Sequence, residues 1–292
     1  MEQSVIQDLG IGTAAGAPPT PERAPQAGGP SGAESGLWLP AATLWWRELV
    51  RFYRQRARVV GVIGSPIVFW LIIGAGFGSS FAAGSGASKQ GYLEYFFPGT
   101  MVLIVLFTAI FTMMSVIEDR QEGFLQSVLV APCPRASIVL GKSLGGATLA
   151  TLQGIVFLAL APTLGIRIGF AQFWATFAVL GLVALSLTGV GFLVAWRLDS
   201  THAFHAIVNL FLIPAWLLSG ALFPLAGASP WVRAVMLANP LTYGTEALRQ
   251  LLFGHAALSL PLTVAVTIAF DAVMLGWGLV MVGGEGARTA RR

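Results

Sequence analysis

EDRQEGFLQSVLVAPCPRASIVLGK, residues Glu118 to Lys142, opens with a dense run of charge, Glu118, Asp119, Arg120 and Glu122, and lies between two long apolar runs. A charge at the centre of a membrane helix costs about 2.5–3.5 kcal/mol on insertion scales, so this cluster is expected to stand in water beyond the end of a span. Its polar start continues into FLQSVLV, where Phe124 with Val128 and Leu125 with Leu129 repeat at the four-residue spacing of one helical face. The spacing predicts a short amphipathic helix at a membrane surface. Pro132 and Pro134 end it, because each lacks a backbone N–H and biases the residue before it away from the α region; a new span opens near Ser137. On fold grounds alone this is a polar loop joining two spans.

Outward from this loop the composition is that of membrane. The 292 residues are 55% hydrophobic and 10% charged, with mean hydropathy +0.76, whereas soluble domains carry about 25% charged residues. Apolar runs of the length that crosses a bilayer, about 20 residues, fall at 59–79, 96–117, 137–162, 171–196, 204–223 and 260–282. The expectation is an all-α integral membrane protein with six transmembrane helices and no room for a soluble catalytic domain. Cys133, the single cysteine, excludes an internal disulfide and a multi-cysteine metal site, and between two prolines it reads as a small structural residue.

Charge distribution gives the topology. With the N-terminus in the cytoplasm, thirteen of the 17 basic residues fall on that side, and Lys89, Arg167, Arg233 and Arg249 on the other. This satisfies the positive-inside rule, and an even number of spans puts both termini on one side. The expected location is the cell (inner) membrane, multi-pass, with both termini cytoplasmic. Residues 1–36 contain no aromatic residue and 18 are Ala, Gly or Pro, a composition that reads as a disordered tail without the apolar core of a signal peptide. Residues 37–58 mix Trp38, Trp45, Trp46, Phe52 and Tyr53 with five arginines, as expected of an amphipathic helix lying at the headgroup level of membrane lipid; beside an apolar run, this basic stretch is assigned to the membrane and not to nucleic acid. Residues 59–283 form the six-span domain and 284–292 a basic tail anchored by Arg288, Arg291 and Arg292.

Within the spans, Gly74 with Gly78 and Gly141 with Gly145 offer small faces for close helix packing, with Lys142 expected to snorkel to the surface. ASIVLGKS, Ala136 to Ser143, nearly matches the phosphate-binding GxxxxGK[ST] pattern, but Ala136 replaces the first glycine and no strand precedes it. His202 and His205 share a helical face, which suits interfacial polar residues or a partner contact better than a metal, and no metal site is expected. Between spans five and six, Pro224, Pro230 and Pro240 break a stretch too apolar for an ordinary loop, which predicts two short re-entrant helices in the outer leaflet, either a structural cap or part of the pathway. There Glu246 and Arg249 can pair at i, i+3. Asp271, a lone carboxylate within span six, is a candidate to line the pathway, to carry a proton, or to bond a neighbouring helix.

Taken together, the order Glu118, Asp119, Arg120, Glu122, Gly123, Leu125, Val128, Leu129, Pro132 and Arg135, with Gly141 and Lys142 opening the next span, resembles the membrane subunits of ABC-2 type ABC transporters. Phe124 stands where that family commonly has Thr, and Gln126 where it has Glu. A second likeness lies at Asn239, Pro240, Leu241, Thr242 and Tyr243, followed by Glu246, Ala247, Leu248 and Arg249. The resemblance implies a permease, as a homodimer or paired with a related permease, that exports drugs, lipids or polysaccharides. It implies that residues 118–135 couple to a separate ATP-binding subunit and that the second motif helps form the outer gate. This chain would bind no cofactor, with ATP and magnesium held by the partner subunit. A proton-coupled secondary transporter using Asp271 is the alternative; it lacks a convincing internal repeat. An intramembrane protease built on Ser219 lacks a Gly-x-Ser-x-Gly context.

Overall fold

The protein is described from a computed structural model covering residues 36–84, 91–131 and 133–289, with the side chains of 56–58, 77–84 and 285–289 left aside. Residues 1–35 of the expected tail 1–36, together with Lys89, Pro132, Arg291 and Arg292, lie outside the described residues, as does the side chain of Arg288. Among the described residues every regular element is helical. A first helix, α1 (Trp38–Arg54), precedes the bundle and breaks at Gln55. The six helices long and apolar enough to cross a membrane are α2 (Arg56–Gly84), α3 (Tyr92–Gln121), α5 (Ala136–Leu158), α6 (Phe170–Arg197), α7 (Thr201–Trp216, continued by a π-helical turn Leu217–Ala221) and α10 (Leu260–Thr289). Shorter helices complete the chain: α4 (Phe124–Val130) after α3, then α8 (Pro230–Ala238) and α9 (Pro240–Phe253) between α7 and α10.

The six expected spans are present, with shifted ends. The second is longer than expected because Tyr92 to Tyr95 at one end and Glu118 to Gln121 at the other stay helical. The first also continues past its expected end at 79 to Gly84. Local chemistry accounts for the boundaries. Pro230 and Pro240 sit at the first position of α8 and α9, where a missing N–H costs nothing. Gly254, at φ +75°, closes α9 in the left-handed region that a side chain would resist.

Around α3, buried almost throughout, the other helices are arranged; α2, α7 and α10 keep most of their surface outward. The apolar core runs along α3 from Phe96 to Ile117 and takes in Phe157 from α5, Leu180 and Leu187 from α6, and Leu248 from α9. Phe97 stacks on Phe157 at 4.7 Å between ring centroids. Polar groups collect toward the two ends of α3, which sets up two separate sites.

Candidate functional site

At the C-terminal end of α3 the residue that decides the geometry is a glycine on another helix. A methyl on Gly141 of α5 would lie 2.7 Å from Leu44 Cβ and 2.8 Å from the Ala41 carbonyl of α1, and one on Gly145 would lie 2.9 Å from Glu48 Cβ. The glycines let α1 lie directly on α5, as their spacing predicts, and this contact carries Glu48 into the bundle. There Lys142 Nζ donates to Glu48 Oε1 (2.5 Å), to Ser115 Oγ (3.0 Å) and to Asp119, while Ser115 Oγ donates to Glu48 Oε2 (2.8 Å). Side-chain exposures of 2%, 0% and 1% for Glu48, Asp119 and Lys142 make this a buried ion-pair cluster.

Asp119 is the hub. Arg47 reaches it with both terminal nitrogens, Nη1 to Oδ2 at 2.8 Å and Nη2 to Oδ1 at 2.7 Å, and Arg51 Nη1 donates to Oδ1 at 2.8 Å. Arg51 Nη2 also donates to Glu118 Oε2 at 2.5 Å. The two-pronged hydrogen bond to Asp119 raises the Arg47 pKa, holding it charged. Three carboxylates, Glu48, Glu118 and Asp119, thus meet three cations, Arg47, Arg51 and Lys142. Two expectations are corrected here. Asp119 does not stand in water, because these cations supply the partners that water would, and Lys142 does not snorkel outward, because its charge is answered inside. Arg47 and Arg51 turn their guanidinium groups toward the same carboxylates.

The loop itself is built on this cluster. Glu122 ends α3, exposed and 3.9 Å from Arg51, and Gly123 turns the chain at φ +77° into α4. On α4, Leu125 is buried and the Phe124 ring lies under the Arg47 guanidinium at 3.7 Å, whereas Gln126, Ser127 and Val130 face outward. Leu129 is half-buried. Arg120 turns the other way, donating to Trp196 O (2.6 Å), Leu198 O (3.3 Å) and Asp199 Oδ1 (2.8 Å), so a cation closes the C-terminus of α6. Arg135 donates to the Val282 carbonyl of α10 at 3.4 Å. The GxxxxGK-like run lies within the start of α5, its lysine engaged by carboxylates.

At the other end of α3 the second motif forms a compact polar unit. Asn239 caps α9, accepting from Leu241 N at 3.1 Å, and its Nδ2 donates to Ala215 O of α7 at 2.5 Å. Thr242 Oγ1 and Tyr243 Oη donate to the Met236 and Leu237 carbonyls of α8 at 2.6 and 2.8 Å, fixing the turn whose first helical residue is Pro240. A methyl on Gly244 would lie 2.5 Å from Val183 Cγ2, about halfway along α6, so α9 packs closely on the middle of α6. Glu246 and Arg249 pair, and Glu246 Oε2 accepts from Ala257 N at 2.7 Å. Arg249 Nη2 donates to Gly220 O at 2.8 Å beneath the Tyr95 ring, and Tyr95 Oη donates to the same carbonyl at 2.8 Å. Gly220 has φ +79° inside the π-helical turn that ends α7, so the break in that helix is what presents its carbonyl.

Asp271 joins neither group. It is buried with Thr263 and Thr267 on one face of α10; Ser186 of α6 donates to its Oδ1, and Oδ2 has no partner among the described residues. Of its three expected roles, bonding to a neighbouring helix is the one the contacts display. His202 is exposed and His205 packs on Phe111 at 5.7 Å, with no group of three metal-binding side chains among the described residues. Sequence reasoning missed Glu48 and Ser115. The signal for Glu48 is its register: Ala41, Leu44, Glu48 and Phe52 form one buried stripe, and an acid within an apolar stripe demands a buried cation.

Comparison with known proteins bears on the family. Residues 41–253, well over half of the chain, match the ABC-2 type transporter family. The daunorubicin resistance ABC transporter permease DrrB1 of Streptomyces coeruleorubidus is 26% identical over 72% of this chain and 74% of its own length. The transport permease ycf38 of Cyanophora paradoxa is 25% identical over 81% of each chain, and the inner membrane transport permease YadH of Escherichia coli is 24% identical over 84% of this chain and 96% of its own. A helical bundle with six membrane-length spans, matched in this way from α1 to the end of α9, belongs to the ABC-2 type transporter family as a membrane permease.

Proposed function

We propose that this chain is the membrane-spanning subunit of an ATP-driven exporter, acting as a dimer or with a related permease and docking separate ATP-binding subunits at residues 118–135, with both termini in the cytoplasm. The observation that carries the reading is the seat of α4: Phe124 lies under Arg47, and Arg47 holds Asp119, so a load applied to the exposed face of α4 passes directly to α1, α3 and α5. Buried charge pairs transmit such a load because separating them leaves an uncompensated charge. Glu122, Gln126 and Val130 offer the outward contacts for an ATP-binding subunit, which supplies ATP and magnesium; this chain contributes no ATPase site. At the far end, Asn239, Pro240, Thr242, Tyr243, Glu246 and Arg249 form the outer gate, a re-entrant unit that opens when α3 tilts, because Tyr95 of α3 and Arg249 share the Gly220 carbonyl. The relative named for daunorubicin resistance supports an amphipathic cargo.

The test is purification in mild detergent followed by ATPase assay. A soluble ATPase should co-purify, and Glu122→Lys should uncouple hydrolysis from transport while the permease still inserts. Unchanged coupling would remove this loop from the mechanism. A chain recovered alone, with proton-driven uptake silenced by Asp271→Asn, would favour the second reading, for which the unpartnered Oδ2 of Asp271 is the supporting observation.

A further inference from the structure

Arg197, the last residue of α6, has an exposed guanidinium whose neighbouring acid is already taken, since Asp199 is bound by Arg120 at 2.8 Å. Among the described residues no carboxylate pairs with Arg197, and its Nε rests against Met281 Sδ of α10 at 3.3 Å. Beneath it, between α6, α7 and α10, lies an apolar groove of about 280 Å3 lined by Leu193, Val194, Ile207, Trp277 and Met281. Trp277 is 54% exposed at the groove. A second guanidinium, Arg135, meets the same turn of α10 through the Val282 carbonyl and likewise has no carboxylate partner among the described residues.

Each part of this arrangement points to the same occupant. A groove open to the side of a membrane helix bundle is in contact with acyl chains, and its apolar walls suit one. Trp277 lies one helical turn before Met281, whose sulfur meets Arg197, so its ring lines the groove within a turn of that guanidinium. A planar guanidinium without a counter-ion matches two oxygens of a phosphate, and basic pockets between spans favour anionic headgroups. We propose that Arg197, Trp277 and this groove bind one anionic glycerophospholipid of the surrounding leaflet, its phosphate on Arg197 and an acyl chain along Leu193, Val194 and Ile207, with Arg135 adding to the local positive potential. The groove itself is lined by α6, α7 and α10 and not by α4, and Arg135 is the one residue the site shares with the loop at 118–135.

Native mass spectrometry of the full chain in mild detergent, titrated with phosphatidylglycerol or phosphatidylcholine, tests this. The wild type should retain phosphatidylglycerol several-fold over phosphatidylcholine. Arg197→Gln should abolish that preference at an unchanged melting temperature, Arg197→Lys should keep part of it, and Trp277→Ala should weaken retention of both lipids. Arg233→Gln on α8, remote from the groove, should behave as wild type. Equal retention of the two lipids by the wild type, or an undiminished preference in Arg197→Gln, overturns the proposal. Recovery of a protein on this groove in place of lipid does so too. None of these outcomes touches whether an ATPase docks at residues 118–135.

Discussion

Lys142 is the side chain on which the buried cluster most depends. Among the described residues its ammonium is the one cation that reaches Glu48 within 3 Å, and Glu48 is 2% exposed. Breaking a buried pair from one side costs about 3–5 kcal/mol, mostly the penalty of the abandoned charge. Lys142→Met is therefore expected to lower the stability of the detergent-solubilised protein by about that amount, and Glu48→Gln in the same background should recover part of it. Thermal unfolding of the single and double variants decides the matter; a Lys142→Met protein as stable as wild type would show the pair to be dispensable. None of this is visible in the local sequence. A lysine near the start of a span looks like a snorkelling one, and the acid that turns it inward lies 94 residues away on a helix whose register has to be read first.

Two glycines govern how elements meet. Gly123 turns α3 into α4 at φ +77°, and a side chain in the left-handed region costs about 1–2 kcal/mol. Gly123→Ala should leave insertion intact while displacing Phe124 from Arg47, measured as loss of transport per ATP hydrolysed. Gly141→Leu acts on a different joint. With 2.7 Å between an added Cβ and Leu44, α1 must lift from α5, and the melting temperature should fall in line with an overpacking cost of about 1–3 kcal/mol. The six spans, the short α4 and the proline-started α8 and α9 were all legible, because apolar run length and proline position are local signals. The true end of α3 was not: Glu118 and Asp119 read as loop until Arg47, Arg51 and Lys142, distant in sequence, supply their partners. The second motif was legible as far as the Glu246–Arg249 pair, but its anchor at Gly220 depends on a helix break that only tertiary contact displays.

For the whole molecule, orientation can be read with a label already in the chain. Cys133, the single cysteine, lies half-buried just after α4. A membrane-impermeant maleimide should spare it in intact cells and modify it in inverted vesicles. The reverse pattern would turn the protein over and place the α8–α9 unit in the cytoplasm. The gathering of α1, α3 and α5 on Asp119 also has a meaning in time. Synthesis delivers Arg47 and Arg51 some 70 residues before Asp119, and Lys142 comes 23 residues after it. When α3 emerges, the two arginines on α1 can already meet Asp119, but together with Glu48 and Glu118 the group still carries one negative charge in excess. The chain as far as α3 is thus an acidic socket, and α5, arriving with its lysine, is the plug whose insertion completes it during biogenesis.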